Sequence, residues 1–512
     1  MRMGRSIGCV GVVLCFSSVA LAGPASPLTS ARIDELLSQR WKQNAAQPAP
    51  VADDATFLRR TMLDLTGTIP SVHDVREFLA DERPDKRSRW IDKILSRPNH
   101  PTHMAGVWRR GLMPSNNNNL FRLGGGGFEN WLRDKFASNT PYDQTAREIL
   151  TVTAASPAEY FLALEFKPEE LAASSSKFFL GVQIQCAQCH NHPFDHWKQH
   201  DFWGFAAFFA RVQRQQANQA NQISVNDSPN TGVVTLPGTN TVVEPRYLGE
   251  AQATDVAGQT RREQLAAWVT SRDNPYFARA TVNRLWAHLF GRGLVEPVDD
   301  LGPHNPASHP QLLDELSQSF VATGFNVQSL LRTLTNTKAY QLASESATEE
   351  EPALELFARM ALKTLTAEQL YDCLAEATHR RDLAPVNQGL VAVRQFDPAR
   401  QTFLSKFQSL GSPTDFRSGI PQALSLMNGQ IVATGIDPTR SDLLTALDAP
   451  FLTDQERIEA LFLSTLSRLP RDEEREQFAA HMQQAGSQAS RHKALGDMLW
   501  ALLNSAEFVL NH

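Results

Sequence analysis

Cysteine is scarce in this sequence, with five residues among 512. Cys9 and Cys15 lie in an N-terminal apolar stretch, which leaves Cys186, Cys189 and Cys373 for the rest of the chain. Two of these three belong to one motif, so the chain lacks the paired cysteines of a disulfide-stapled scaffold. Cys373 lies in a stretch with helical periodicity and is predicted to be a buried structural thiol.

Strong net charge and long apolar runs are also lacking. The 49 basic and 55 acidic residues leave a net charge of −6, which argues against a nucleic-acid-binding surface. Beyond the N-terminal stretch, no run approaches the roughly 20 apolar residues that a membrane-spanning helix needs. We therefore expect no transmembrane segment in the mature protein. The four glycines at 124–127 lack the Gly-Lys-Ser/Thr ending of a phosphate-binding loop and are interpreted as an ordinary loop.

The first 22 residues have the pattern of a secretory signal peptide. Arg2 and Arg5 precede an apolar run at 7–21, and Ala20-Leu21-Ala22 provides small residues for cleavage. A membrane anchor is the alternative, but the run is short for a spanning helix. The sequence therefore predicts a periplasmic or otherwise exported protein.

The rest of the chain is long enough for two or more domains. Apolar residues recur at helical spacing through most of it, as in Leu312, Leu313, Leu316 and Phe320. The exception is a polar segment at 213–249, where two short valine-rich runs flank Pro237-Gly238-Thr239-Asn240 and predict a β-hairpin. The predicted fold is mostly α, with helical domains at 23–212 and 250–512 joined by this segment.

Several helix ends carry local signals. Gly67 predicts the end of one helix, and Ser71 with Asp74 resembles a capping box at the start of the next. Thr453 with Glu456 predicts a second capping box in the C-terminal half.

The most informative motif is Cys186-Ala187-Gln188-Cys189-His190. Cys-x-x-Cys-His is the attachment pattern of c-type haem. The two thiols each bond one vinyl group of the porphyrin, and the adjacent imidazole reaches the iron as a proximal ligand. The motif predicts one haem c bound through Cys186 and Cys189, with His190 on the iron.

Two other sites fit the same residues. Cys186, Cys189 and His192, with His196 or His200 as the fourth ligand, would make a tetrahedral zinc site. This alternative uses the histidines that crowd behind the motif, whereas the haem interpretation leaves His192 unexplained. A thiol–disulfide site is the third alternative, and it needs a strand at 178–184 that feeds a Cys-x-x-Cys helix.

The surroundings of the motif leave further alternatives open. Phe202, Phe205 and Phe209 form an aromatic face that would suit either a porphyrin wall or an ordinary core. The side chains able to act as a sixth iron ligand are His192, His196, His200, His304, His309, Met104 and Met427. The adjacent carboxylates Asp299 and Asp300 are interpreted as ion-pair partners of Arg284 or Arg292.

Longer stretches around the motif resemble a known family. Residues 179–185 lead into it, and His192-Pro193-Phe194-Asp195 with Trp197 follow it; together they resemble the planctomycete cytochrome-c-like domain. Residues 53–60, 64–67 and 141–143 are similar to the same family. The resemblance implies a haem-binding first domain. The chain has no second Cys-x-x-Cys-His, and His196 stands where relatives have a basic residue.

The second half resembles the companion planctomycete-specific domain. The matching stretches are 274–279, 283–286, 290–295, 299–300 and 500–508. This resemblance implies a helical C-terminal domain and leaves its role open.

Together these observations favour an exported c-type cytochrome-like protein with one covalent haem, acting in cell-envelope electron transfer. Its partner would be an unidentified redox protein or envelope component. The alternative is a zinc-stabilised scaffold or binding protein of the envelope, with a thiol–disulfide redox protein third. The sequence assigns no enzymatic reaction.

Overall fold

The structure is a computed structural model that describes residues 27–113, 127–152, 158–216, 223–229, 231–249, 253, 256–345, 352–380, 398–407 and 426–512. It is 58% helical, and its described strands form small two-stranded sheets. The mostly α prediction is therefore confirmed. The predicted signal peptide lies outside the described residues.

Short helices connected by tight turns make up the part before the polar segment. The α-helices there are α1 Ser30–Gln43, α2 Asp54–Thr66, α3 Val72–Ala80, α4 Lys86–Leu95, α5 Asn99–Leu112, α6 Gly127–Ala137, α7 Tyr142–Thr151, α8 Glu159–Ala163, α9 Pro168–Ser175 and α10 Gln199–Ala206. A π-helix at Ser176–Leu180 and 3₁₀-helices at Gln185–Gln188 and Ala207–Phe209 lie between α9 and the first strand.

Helices also dominate the part after the polar segment. They are α11 Arg261–Val269, α12 Phe277–Phe290, α13 Pro310–Ala322, α14 Val327–Thr335, α15 Ala367–Ala377, α16 Pro398–Phe407, α17 Gln430–Gly435, α18 Asp442–Leu447, α19 Asp454–Thr465, α20 Asp472–Gln483, α21 Gln488–Leu503 and α22 Ala506–Val509, with a 3₁₀-helix at Leu354–Leu356.

The six described strands pair in three antiparallel sheets. In the polar segment, β1 (Val212–Gln216) pairs with β2 (Ile223–Asp227), and β3 (Val234–Thr235) pairs with β4 (Val242–Val243). The second pair is the β-hairpin that the valine-rich runs predict, whereas the first was not predicted. The third sheet joins β5 (Lys363–Thr364) to the C-terminal β6 (Leu510–Asn511).

The predicted helix ends are confirmed by their capping geometry. Gly67 closes α2 in the left-handed region, with a φ of 75° that favours glycine. Ser71 and Asp74 form a reciprocal capping box at α3, and Thr453 and Glu456 form another at α19. Each box satisfies backbone N–H groups that have no partner inside the helix.

The buried apolar side chains form two large cores. The first contains residues from α1 through Met360, on both sides of the polar segment, together with Leu463. The second is built from residues between Leu370 and Phe508, with Leu63 and Ile69 added from the first part of the chain. Cys373 belongs to this second core, where burial raises the pKa of its thiol to about 12. The polar segment therefore separates two sequence regions, both of which contribute to the first core.

Helix α2 connects the two cores through buried polar contacts. The Asp64 carboxylate accepts hydrogen bonds from Lys363 Nζ at 2.6 Å, Tyr340 Oη at 2.8 Å and Asn511 Nδ2 at 2.7 Å. One turn earlier, the Arg59 guanidinium donates to the carbonyl oxygen of Phe508 at 2.9 Å. The C-terminal strand is therefore anchored on a helix from the N-terminal part of the chain.

Among the described residues, no helix combines the length and the apolar character needed to cross a lipid bilayer.

Candidate functional site

The segment that leads into Cys-x-x-Cys-His is helical and ends abruptly. The π-helix Ser176–Leu180 stops at Gly181, which has a φ of 66°. A Cβ at Gly181 would lie 2.8 Å from Leu301 Cδ1, and the Gly181 carbonyl accepts a hydrogen bond from Leu301 N at 2.8 Å. The left-handed backbone favours glycine at this position, and the close approach of Leu301 leaves little room for a Cβ. The strand at 178–184 that a thioredoxin-like site needs is not formed.

The two cysteines lie on a single 3₁₀ turn. This turn covers Gln185–Gln188, and Cys189 follows as its C-cap. Side chains three positions apart in a 3₁₀-helix nearly eclipse one another, so both thiols project from the same side. Cys186 and Cys189 are free and exposed, whereas Ala187 between them is fully buried. The turn therefore rests on the core through Ala187 and presents two accessible thiols to the outside.

Helix α10 holds this turn by hydrogen bonds to its carbonyl groups. Trp203 Nε1 donates to the Gln188 carbonyl at 3.0 Å, and Gln199 Nε2 donates to the Cys189 carbonyl at 3.0 Å. Because these contacts engage only the backbone, the thiols stay free. Neither role was predictable from the sequence, since glutamine and tryptophan donate hydrogen bonds in many settings.

His190 is exposed and is oriented by the next residue. Its Nδ1 lies 2.7 Å from the carbonyl oxygen of Asn191. A carbonyl oxygen only accepts, so Nδ1 carries the proton and the lone pair of the neutral ring lies on Nε2. Metal-bound histidines commonly have this arrangement, in which the second ring nitrogen donates to a carbonyl.

His192 has a structural role in the loop after the motif. Its Nδ1 accepts hydrogen bonds from the backbone N–H groups of Asp195 at 2.9 Å and Phe194 at 3.3 Å. Its own backbone N–H donates to the Trp197 carbonyl at 2.8 Å, which closes the loop. With Nδ1 accepting, the neutral ring carries its proton on Nε2, and neither nitrogen has a lone pair left for a metal.

Asp195 and His196 form a second cluster in this loop. Asp195 Oδ1 accepts from His196 Nδ1 at 2.6 Å and from His196 N at 2.7 Å. Asp195 Oδ2 lies 3.5 Å from His304 Nδ1, and His304 Nε2 lies 3.1 Å from Asp300 Oδ1. The sequence suggested His304 as an iron ligand, but both of its ring nitrogens face carboxylates.

The zinc alternative requires Cys186, Cys189, His192 and His196 to converge. Within the described parts of the chain, no group of three or more histidine, cysteine, aspartate or glutamate side chains is placed to hold a metal ion. In this conformation His192 is occupied by the loop backbone, and His196 Nδ1 by Asp195. The contacts thus favour a loop-forming role for both histidines.

The accessible donor atoms of this segment are the ones that covalent haem attachment would use. Two accessible thiols on one face of a turn precede an imidazole with a free Nε2 lone pair. Phe202, Phe205 and Phe209 are fully buried in the first core and present no face to an external ring. By contrast, Phe194 is 83% exposed beside the motif.

Trp197 is buried at the end of the same loop. No described residue accepts a hydrogen bond from its Nε1. A buried unpaired donor beside the motif is the kind of group that an additional ligand or water satisfies.

The remaining predicted ligands are scattered. Met104 is fully buried in the first core, and the His309 ring lies 5.5 Å from that of Phe357. Burial lowers the pKa of His309 to about 4, so its ring is neutral at pH 7. His200 is exposed on α10, and Met427 is 43% exposed. Asp299 forms the predicted ion pair with Arg284, whereas Arg292 lies 3.8 Å from Glu355.

Fold and site together define a mostly helical protein with a Cys-x-x-Cys-His turn at its surface. The sequence regions before and after the polar segment share one core. Residues 32–214 match the family described as PSCyt2, protein of unknown function (DUF1549), and residues 261–482 match PSD1, protein of unknown function (DUF1553). The chain thus contains a PSCyt2 domain followed by a PSD1 domain. The motif lies in the first match and His304 in the second. Neither a curated protein nor a solved structure matches the chain.

Proposed function

We propose that this protein binds one haem covalently through Cys186 and Cys189, with His190 as a ligand to its iron, and carries electrons in the cell envelope. The observation that supports this best is the combination of two exposed thiols on one 3₁₀ turn with an adjacent imidazole whose Nδ1 proton is held by the Asn191 carbonyl. This leaves Nε2 as the ligand atom. The name of the first family, PSCyt2, points in the same direction.

Each residue of the site has a separate task. Cys186 and Cys189 would form the two thioether bonds, and His190 Nε2 would bind the iron. The Asn191 carbonyl fixes the tautomer of His190 and raises the basicity of its ligand nitrogen. When bound, the haem supplies reversible one-electron transfer. Gln199 and Trp203 keep the turn in place through its carbonyl groups.

Export is part of the same proposal. The sequence predicts a signal peptide at 1–22, and covalent haem attachment normally takes place on the outer side of the cytoplasmic membrane. The thiols and His190 lie at the surface, where attachment machinery has access to them. A partner protein can approach a site at the surface closely enough to exchange electrons with it. Exposure to solvent is also one of the factors that set a haem's reduction potential.

A pyridine haemochrome spectrum tests the proposal. The full-length protein is produced in a host with cytochrome c maturation machinery, and the haem is quantified per chain. We expect one haem, and none in the Cys186→Ala/Cys189→Ala double variant. Cys373→Ala is the matched control and should keep its haem, because that thiol lies in the second core. A chain without haem that instead carries one zinc ion, or a Cys186–Cys189 disulfide, would overturn the proposal.

A further inference from the structure

We propose that residues 299–304 of the PSD1 domain position the Cys-x-x-Cys-His segment, with His304 as the main positioning residue. The purpose of this positioning rests on the proposed haem attachment, but the contacts themselves do not. They reach the motif-bearing segment before and after the two cysteines.

The first contact lies ahead of the motif. Arg284 of α12 forms an ion pair with Asp299 and donates to the Phe178 carbonyl at 3.3 Å. Its guanidinium also lies over the Phe178 ring, 4.3 Å from the centroid. Residue 299 is therefore coupled to the π-helix that leads into the motif.

The second contact is at the turn into the motif. Leu301 N donates to the Gly181 carbonyl at 2.8 Å, and its side chain packs where a Cβ of residue 181 would stand. Because Gly181 needs a left-handed backbone, this hydrogen bond holds the chain at the point where its direction changes.

The third contact lies behind the motif. His304 stands between Asp195 of the loop and Asp300 of its own segment, at 3.5 and 3.1 Å. The Asp195 side chain is only 7% exposed, so its charge needs partners. Within the loop, the backbone N–H and Nδ1 of His196 contact one oxygen of the Asp195 carboxylate. His304 of the second domain lies beside the other oxygen.

These contacts explain the part of the motif that haem chemistry alone leaves unexplained. His192 shapes the loop from within, and Asp195 connects the loop to the PSD1 domain. The second domain thus completes the surroundings of the attachment site rather than forming a separate unit.

Hydrogen–deuterium exchange of the haem-free, full-length protein tests this inference. His304→Ala should raise the exchange rate of amides in residues 190–199 severalfold, the effect expected for losing a partly exposed ion-pair contact. His304→Gln places a side-chain amide that can donate toward Asp195 and should restore most of the protection. Asp300→Asn, which leaves His304 in place without its second carboxylate, should give an intermediate rate.

The control is His481→Ala, which removes a partly exposed histidine of the same domain that lies 3.9 Å from Asp497. It should leave residues 190–199 unchanged. Equal exchange rates in wild type, His304→Ala and His481→Ala would overturn the positioning role. The measurement does not depend on haem: a looser loop in a protein that never binds haem would support this inference while overturning the proposed function.

Discussion

Replacing Asp64 by asparagine should destabilise the whole fold. The side chains of Asp64 and Lys363 are 3% and 6% exposed, and the carboxylate also accepts hydrogen bonds from Tyr340 and Asn511. Asparagine keeps the volume but leaves the Lys363 ammonium buried without a counter-charge. Removing one partner of a buried ion pair costs about 3–5 kcal/mol. We expect the free energy of unfolding to fall by that amount.

Urea unfolding followed by circular dichroism measures this change. The matched control is Asp92→Asn, which breaks an ion pair at the surface. The Asp92 side chain is 45% exposed and that of its partner Arg332 is 55% exposed. An exposed pair contributes about 0–1 kcal/mol, so this variant should unfold nearly like the wild type. The double variant Asp64→Asn/Lys363→Met also removes the Lys363 charge and should recover part of the loss. Equal destabilisation by Asp64→Asn and Asp92→Asn would refute the reasoning.

Three further predictions concern pH, backbone conformation and the support of the motif. Burial lowers the pKa of His100 from 6.5 to about 4, so on acidification the unfolded chain binds this proton before the folded chain does. The free energy of unfolding should therefore fall as the pH drops from 6.5 to 4. Urea unfolding of His100→Gln over the same pH range should show a smaller loss of stability than the wild type, and an unchanged pH dependence would contradict this prediction. Gly181→Ala places a side chain on a left-handed backbone and against Leu301, which should lower the free energy of unfolding by at least about 1–2 kcal/mol. The thermal unfolding midpoint should fall accordingly, and an unchanged midpoint would count against this prediction. Trp203→Phe removes the donor to the Gln188 carbonyl, at a cost of about 1 kcal/mol, and should speed hydrogen–deuterium exchange of the amides in residues 185–190 of the haem-free protein. Exchange at the wild-type rate would show that the turn does not need this hydrogen bond.

Local signals made much of the fold predictable. Gly67, Ser71 with Asp74, and Thr453 with Glu456 act within one helical turn, so their roles are readable from neighbouring residues. The Asp64 cluster was not predictable, because its partners lie 276, 299 and 447 positions away. Its members are ordinary polar residues until tertiary packing brings them together.

The same division applies to the site. The spacing of Cys186, Cys189 and His190 identified the candidate attachment turn, since the motif is contiguous. The loop-forming role of His192 was missed, because a histidine behind two cysteines equally suggests a metal ligand. The contact between Asp195 and His304 joins two domains, and no local pattern around either residue predicts it. The domain boundaries at 212 and 250 remain predictions.

Intact-mass spectrometry under denaturing conditions tests the central claim most directly. The mature protein is purified from a maturation-competent host, so that only covalently bound groups survive denaturation. We predict a chain that begins near residue 23 and carries the mass of one haem, with the addition mapping to a peptide that contains Cys186 and Cys189. A mature chain of unmodified mass, with both thiols still free to react, would contradict the claim.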